Sequence, residues 1–337
     1  MATTTTTQPA VPTVPPRHDR KTYMALRNFA ISMSIFNIVG YAVLGFEQPY
    51  LWPFIALATG YTVEIALEVI GARYEDRRPR FLGNGKRGLF EFLLPAHITS
   101  LAVNMLTYVN DRVLVMMFGV TVAVAAKWIL RAPVRGRMRH FMNPSNFGIV
   151  VILLLFPWAS IAPPYHFTER TSGFFDWLIP WIIITGGTMI NSQLTGRMWL
   201  ILGWVGVFAL QAVVRHFIVD TSIVAGLGMM TGTAFILFTN YMITDPGTSP
   251  SKPWAQFAFG GGTAAVYGML TGFNIPYGIF FATAIVCLIR GGYLWSVHLA
   301  AQTRERLEAQ QRAALSVVPD SGDGGDGDGG TKEVVAA

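Results

Sequence analysis

The sequence predicts an all-α polytopic membrane protein with about ten transmembrane helices, and three observations carry that reading. Of its 337 residues, 52% are hydrophobic and only 13% charged, about half the charge of an ordinary soluble domain. The charges gather in short clusters and leave apolar runs of about 20 residues, the length a helix needs to cross a bilayer. The basic residues also fall on alternate connections. If the N-terminus is cytoplasmic, only Arg112, Arg170 and Arg215 of the 25 Lys and Arg lie on the outer side. That lopsidedness is the positive-inside pattern, and it places both termini in the cytoplasm of a bacterial cell bounded by its inner membrane.

Each segment can be justified in order. Residues 1–24 open on "MATTTTTQPAVPTVPPRHDR", which is rich in Thr and Pro and lacks an apolar centre. It reads as a disordered tail, not a signal peptide. Residues 25–297 form one transmembrane domain. Its apolar runs lie near 28–46, 51–72, 88–109, 112–130, 146–163, 176–193, 198–218, 222–243, 254–273 and 276–295. The third run contains Pro95, His97 and Asn104, so it is either one helix or two half-helices. The ninth carries "FGGGTAAVYG", where small residues let helix backbones approach. Residues 298–315 read as a short cytoplasmic helix. Residues 316–337, rich in Gly and Asp, read as a second disordered tail; they lack the ligand spacing and closing Glu of an EF-hand.

Several function classes fall away. A net charge of +6 reflects the bias of cytoplasmic loops, not nucleic-acid binding. The single cysteine, Cys287, excludes an intrachain disulfide. The histidines are scattered without metal-ligand spacing, so no metal site is expected. His166 and Glu169 of "PPYHFTER" lie three apart in an outer loop, where a solvated loop is the simpler reading than an acid/base pair. His140, beside Arg137 and Arg139, is expected at the lipid headgroups.

Two polar corners share the cytoplasmic side. "HFMNPSNFGIV", 140–150, opens the fifth run and "YMITDPGTSP", 241–250, closes the eighth. Pro144 and Pro246 each bias the preceding residue toward extended backbone. Capping of helix ends by Asn143 or Ser145 and a Pro-Gly stop is one reading; a built site is the other. Glu64 and Glu68, four apart on one helix face, are carboxylates at membrane depth, which mark function or a partner. Glu68 lies near enough to the interface to reach Arg73 and Arg77, leaving Glu64 as the better functional candidate.

"NPSNFG" and "MITDPGTSP", at these places in such a chain, resemble the RnfD/NqrB family, the flavin-bearing membrane components of ion-pumping redox complexes. Over nearly the whole span from about 25 to 295, "LRNFAISMSIFNIVGYAVLGFEQPYLWPFIALATGYTVEIALE", "PAHITSLAVNMLTYVNDR" and "RHFMNPSNFGIVVILLLFPWASIAPPYHFTER" are similar to the UnbU-like branch, the membrane proteins encoded with enediyne polyketide biosynthesis. The resemblance implies two inverted five-helix repeats with broken helices and a flavin, FMN or riboflavin. It implies flavin-mediated electron transfer in antibiotic biosynthesis, with redox or biosynthetic proteins as partners beside the lipid bilayer. The implied cofactor-binding residues are Asn143, Ser145, Asn146, Thr244, Asp245 and Thr248. The family's phosphoester-linked FMN needs a Ser/Thr-Gly-Ala-Thr motif. Here "RTSGFFD" puts phenylalanine at the acceptor position, and "TGGT", 185–188, lies inside the sixth run, so the flavin is expected to be non-covalent. A small-molecule channel or transporter using the same broken-helix cavity, and an anchor for biosynthetic enzymes, are the alternatives.

Overall fold

The computed structural model describes residues 20–82, 85–134 and 136–316. Residues 1–19 of the tail predicted at 1–24, residues 317–337 of the tail predicted at 316–337, and Arg135 among the cytoplasmic arginines lie outside them. In chain order the helices are α1 (Arg20–Val39), α2 (Trp52–Tyr74), α3 (Gly85–Leu106), α4 (Val113–Ile129), α5 (Pro144–Leu155), α6 (Phe174–Ile190), α7 (Met198–Val219), α8 (Ile223–Gly228), α9 (Thr233–Leu237), α10 (Pro253–Gly272) and α11 (Gly278–Ser316). Two short antiparallel pairs join connections. β1 (Thr107–Tyr108) pairs with β4 (Ser160–Ile161), and β2 (Arg131–Val134) pairs with β3 (Arg137–His140).

Length and composition make five helical stretches fit to cross a membrane: Arg20–Leu44, Trp52–Tyr74, Lys86–Leu106, Met198–Val219 and Gly278–Arg312. A sixth is the bent pair Ile223–Thr231 and Thr233–Met242, which turns by 65°. The outward faces suit lipid. Ile31, Ile35 and Ile38 on α1, and Leu202, Leu210 and Phe217 on α7, are exposed large apolar side chains, a surface that water would penalise and hydrocarbon would not.

Three sequence expectations change and one open alternative is settled. α1 begins at Arg20, inside the stretch assigned to the disordered tail. α3 is one unbroken helix despite Pro95, and Thr99 Oγ1 bonds the Pro95 carbonyl at 2.8 Å one turn on. The fifth run does not continue as a helix to 163: α5 stops at Leu155, and the chain returns through the extended β4. Residues 298–315 are no separate helix but the continuation of α11. The chain forms two units, Met1–Leu294 and Trp295–Ala337.

α2 shows how the pattern builds the bundle. Its buried positions, Trp52, Ala56, Gly60, Glu64, Glu68 and Ala72, repeat every four residues and so form one stripe. The stripe ends in carboxylates, each with a cation. Lys127 Nζ of α4 sits 2.8 Å from Glu64 Oε2, while Glu68 is bound by Arg77 and by the Arg80 backbone N–H at 2.8 Å. Arg80, not Arg73, is therefore the second partner of Glu68. α7 and α10 meet through glycine instead. A Cβ on Gly260 would lie 2.2 Å from the Leu200 carbonyl oxygen, and one on Gly203 would lie 2.3 Å from that of Phe257. The glycine-rich ninth run is thus a packing seam.

α1 and α6 close alike. Each runs into a π-helical turn, Gly40–Leu44 and Asn191–Thr195, ended by a left-handed glycine, Gly45 at φ 71° and Gly196 at φ 65°. A third π-helical turn, Phe238–Met242, follows α9. Such turns free backbone groups and are frequent at functional positions.

Candidate functional site

The two polar corners meet. Asn143, extended at φ −66° and ψ 122°, caps α5: its Oδ1 accepts the Asn146 backbone N–H at 3.0 Å and the Ser145 hydroxyl at 3.1 Å. Pro144 follows at the first helical position, where its missing N–H costs nothing. The same Asn143 donates through Nδ2 to the Met242 carbonyl at 2.8 Å, so one side chain is both cap and bridge to the π-helical turn. Fully buried Asn146 donates to the Phe280 carbonyl of α11 at 3.0 Å, and its Oδ1 has no partner among the described residues.

Across the joint, Thr244 donates to the Asn240 carbonyl at 2.8 Å. Asp245 organises the loop after it. Its Oδ1 accepts the Gly247 N–H at 3.0 Å and its Oδ2 accepts the Thr248 hydroxyl. Its backbone carbonyl accepts the Ser249 N–H at 2.9 Å and the Ser249 hydroxyl at 2.7 Å. His140, the last residue of β3, brings Nε2 to 3.4 Å from Asp245 Oδ2. Burial pushes the Asp245 carboxyl up, but His140, Thr248 and the Gly247 N–H together outweigh it and hold the group at about 2. The carboxylate stays within reach of solvent, with 26% of the side chain exposed. A Cβ on Gly247 would stand 2.2 Å from His140 Nε2, so this approach requires glycine.

All six residues singled out in the sequence, Asn143, Ser145, Asn146, Thr244, Asp245 and Thr248, therefore belong to one joint. Sequence reasoning missed two others. His140, assigned to the headgroups, turns inward to Asp245. Arg197, counted only as a cytoplasmic charge, is buried and donates through Nε to the Ser249 hydroxyl at 2.8 Å and through Nη2 to the Pro246 carbonyl at 3.4 Å. Burial lowers the Arg197 pKa, and the Asp245 charge opposes that shift. The only sequence signal for Arg197 is an arginine directly before an apolar run, which is also the ordinary mark of an inner helix end.

Residues 185–188 do lie within α6. Thr188 Oγ1 faces Asn240 Oδ1 at 3.4 Å, and Gly187 lies so close to Asn240 that a Cβ would meet its Cβ at 2.4 Å. Among the described residues Glu64 pairs with Lys127 and not with a residue of the joint. In the loop at 162–173, His166 stacks on Phe46 at 3.5 Å and forms no bond with Glu169. Burial holds its pKa at about 4.

A cavity of about 90 Å³ adjoins the joint. Ser145, Met242, Pro164, Met229, Ala102 of α3 and Phe235 of α9 are among the residues that line it. Both halves of the chain thus contribute walls, and Ser145 belongs to cavity and joint alike. No family model matches the chain, and no curated protein matches it.

Proposed function

We propose that the chain is a ten-span inner-membrane protein of RnfD/NqrB type, with both termini cytoplasmic, that binds a flavin non-covalently at the α5/π-turn joint and serves electron transfer in enediyne biosynthesis. The observation that carries this reading is the joint itself: an ionised Asp245, a buried Asn146 carbonyl oxygen without a partner among the described residues, and Ser145 on the lining of an apolar cavity. That donor set fits a planar heterocycle with a polar edge and an apolar body. Asp245 and Asn146 offer acceptors for ring N–H, the second Nδ2 hydrogen of Asn143 offers a donor for a ring carbonyl, and Ser145 and Thr248, whose hydroxyl hydrogens are held by Asn143 and Asp245, offer further acceptor oxygens. A bound flavin would supply one- and two-electron redox chemistry. The chain's own residues hold the ring edge, keep a fixed negative charge beside it, and exclude water from the apolar end.

The test is the visible spectrum of gently purified protein, followed by denaturation. The expected result is flavin absorbance that leaves with the small-molecule fraction. Asp245→Ala and Asn146→Ala should lose it while eluting as folded protein. Wild-type protein without flavin, and unable to take up added FMN or riboflavin, would overturn the reading. A pigment that stays on the denatured chain would overturn its non-covalent part.

The cavity favours a second reading, a small-molecule channel or transporter. Ala102→Phe would fill it. Loss of product export from producing cells by that variant, in a protein that carries no flavin, would move the assignment to transport.

A further inference from the structure

Far from the joint, α7 ends in a cluster that nothing above uses. Arg197, at the start of α7, touches the joint; Arg215 lies 18 residues further on, roughly 27 Å along the axis at 1.5 Å per residue. Gln211 and Arg215 are four apart and so share a face. Gln211 is 7% exposed, and neither atom of its amide has a partner among the described residues. Arg215 Nε and the Thr221 hydroxyl, in the turn between α7 and α8, are likewise buried and unpartnered there. Buried polar atoms left without partners are destabilising, so four between Gln211 and Thr221 indicate that something outside the described chain satisfies them.

The chemistry of the partner follows from the groups. Two are N–H donors, one is a carbonyl acceptor and the hydroxyl can be either, and the cation is an arginine, whose fork suits oxyanions. No ion pair among the described residues includes Arg215, although the other two outer arginines are engaged. Arg170 pairs with Glu47 at 3.3 Å, and Arg112 lies over the Trp158 ring at 4.7 Å. Small residues close the site. A Cβ on Gly226 of α8 would stand 3.3 Å from Arg215 Nη2, and one on Gly268 of α10 would stand 2.9 Å from Gln211 Oε1. The guanidinium therefore lies against α8 and the amide against α10.

We infer that the α7–α8 end holds an oxyanion, a phosphate-type group bound by Arg215 and Gln211. Two sources share this chemistry, a phospholipid headgroup and a free phosphate, and the experiment separates them. Full-length protein in mild detergent is exposed to phosphatidylglycerol or phosphatidylcholine vesicles, and retained lipid is counted by native mass spectrometry. A parallel arm measures the thermal midpoint with and without inorganic phosphate. Wild type should retain phosphatidylglycerol at least tenfold over Arg215→Gln, or be stabilised by phosphate where Arg215→Gln is not. The first outcome assigns a lipid site and the second a free-anion site. Arg170→Gln, whose arginine is already paired, should match wild type in both. Gln211→Leu carries the same test if Arg215→Gln does not fold. Indistinguishable wild type and variants in both arms would overturn the inference.

Discussion

In the first half of the chain α2 and α4 meet through a charge pair, Glu64 with Lys127; in the second, α7 and α10 meet through glycines, Gly203 and Gly260. Both halves start with a helix that ends in a π-helical turn and a left-handed glycine, and then they diverge. The first continues with polar chains: Tyr61 and Ser34 flank His97 at 2.6 and 2.8 Å, and Asn104 joins Asn37 to Tyr41. The second packs Trp204, Phe208, Phe235 and Tyr267 as stacked and edge-on rings. Similar element order is thus compatible with two kinds of cohesion. A lipid environment gives apolar side chains no gain from leaving water, so helices associate through close contact or through polar pairs.

The comparison can be broken most sharply at the glycine seam. Gly260→Leu places a side chain where the Leu200 carbonyl stands, so α7 and α10 must separate. No monodisperse peak should appear in fluorescence-detected size exclusion, and a normal elution profile would show that the seam is loose. Second in size is the ion pair. Lys127→Met leaves Glu64 buried without a cation and should cost about 3–5 kcal/mol, read as a lowered thermal midpoint. The double change Glu64→Leu with Lys127→Met should recover most of that. A double variant no better than the single would mean that the charges do more than satisfy each other.

A third prediction concerns pH. Burial holds His166 at about 4, below its ordinary 6.5, so the folded chain binds fewer protons than the unfolded one between those values. Stability should fall as pH drops from 6.5 toward 4, by up to about 1.4 kcal/mol per unit, and His166→Phe should flatten that window. Asp245 acts lower. Its depressed pKa adds stability that is present above pH 3.8 and lost as pH falls toward 2. The two windows hardly overlap, so a single pH titration of the thermal midpoint separates the His166 loop from the Asp245 joint. The smallest effect is at the cap. Asn143→Ala should cost about 1 kcal/mol for the lost cap and a little more for the Met242 bond. Asn143→Ser, which can cap but is too short to bridge, should recover only the first part.

Much of this architecture is legible in the residues. Among the described residues each of the ten apolar runs overlaps a helix or the bent helix pair, and five of them, or six with that pair, are long and apolar enough to cross a membrane; apolarity over 20 residues is a property of the run itself. The fifth and eighth runs behave differently. α5 stops where β4 finds a partner in β1, and the eighth run bends at Gly232 between α8 and α9. Neither event has a local signal stronger than an ordinary glycine or proline. The proline-marked corners are visible as candidates, but their contact is not, since capping alone accounts for every residue in them.

The sequence by itself determined the class of the protein: a helical chain with apolar faces long enough for a bilayer, basic connections and two polar breaks. Those properties depend on residues next to one another. Only the tertiary structure decided who meets whom. Asn143 bonds a carbonyl 99 residues away, Lys127 answers Glu64 from another helix, and His140 turns from the expected headgroups to Asp245. Each polar side chain had several partners within the reach of its composition. The choice fell to helix crossing and to the glycines that set how near two backbones come, and a buried polar atom then bonds whatever that geometry brings to it.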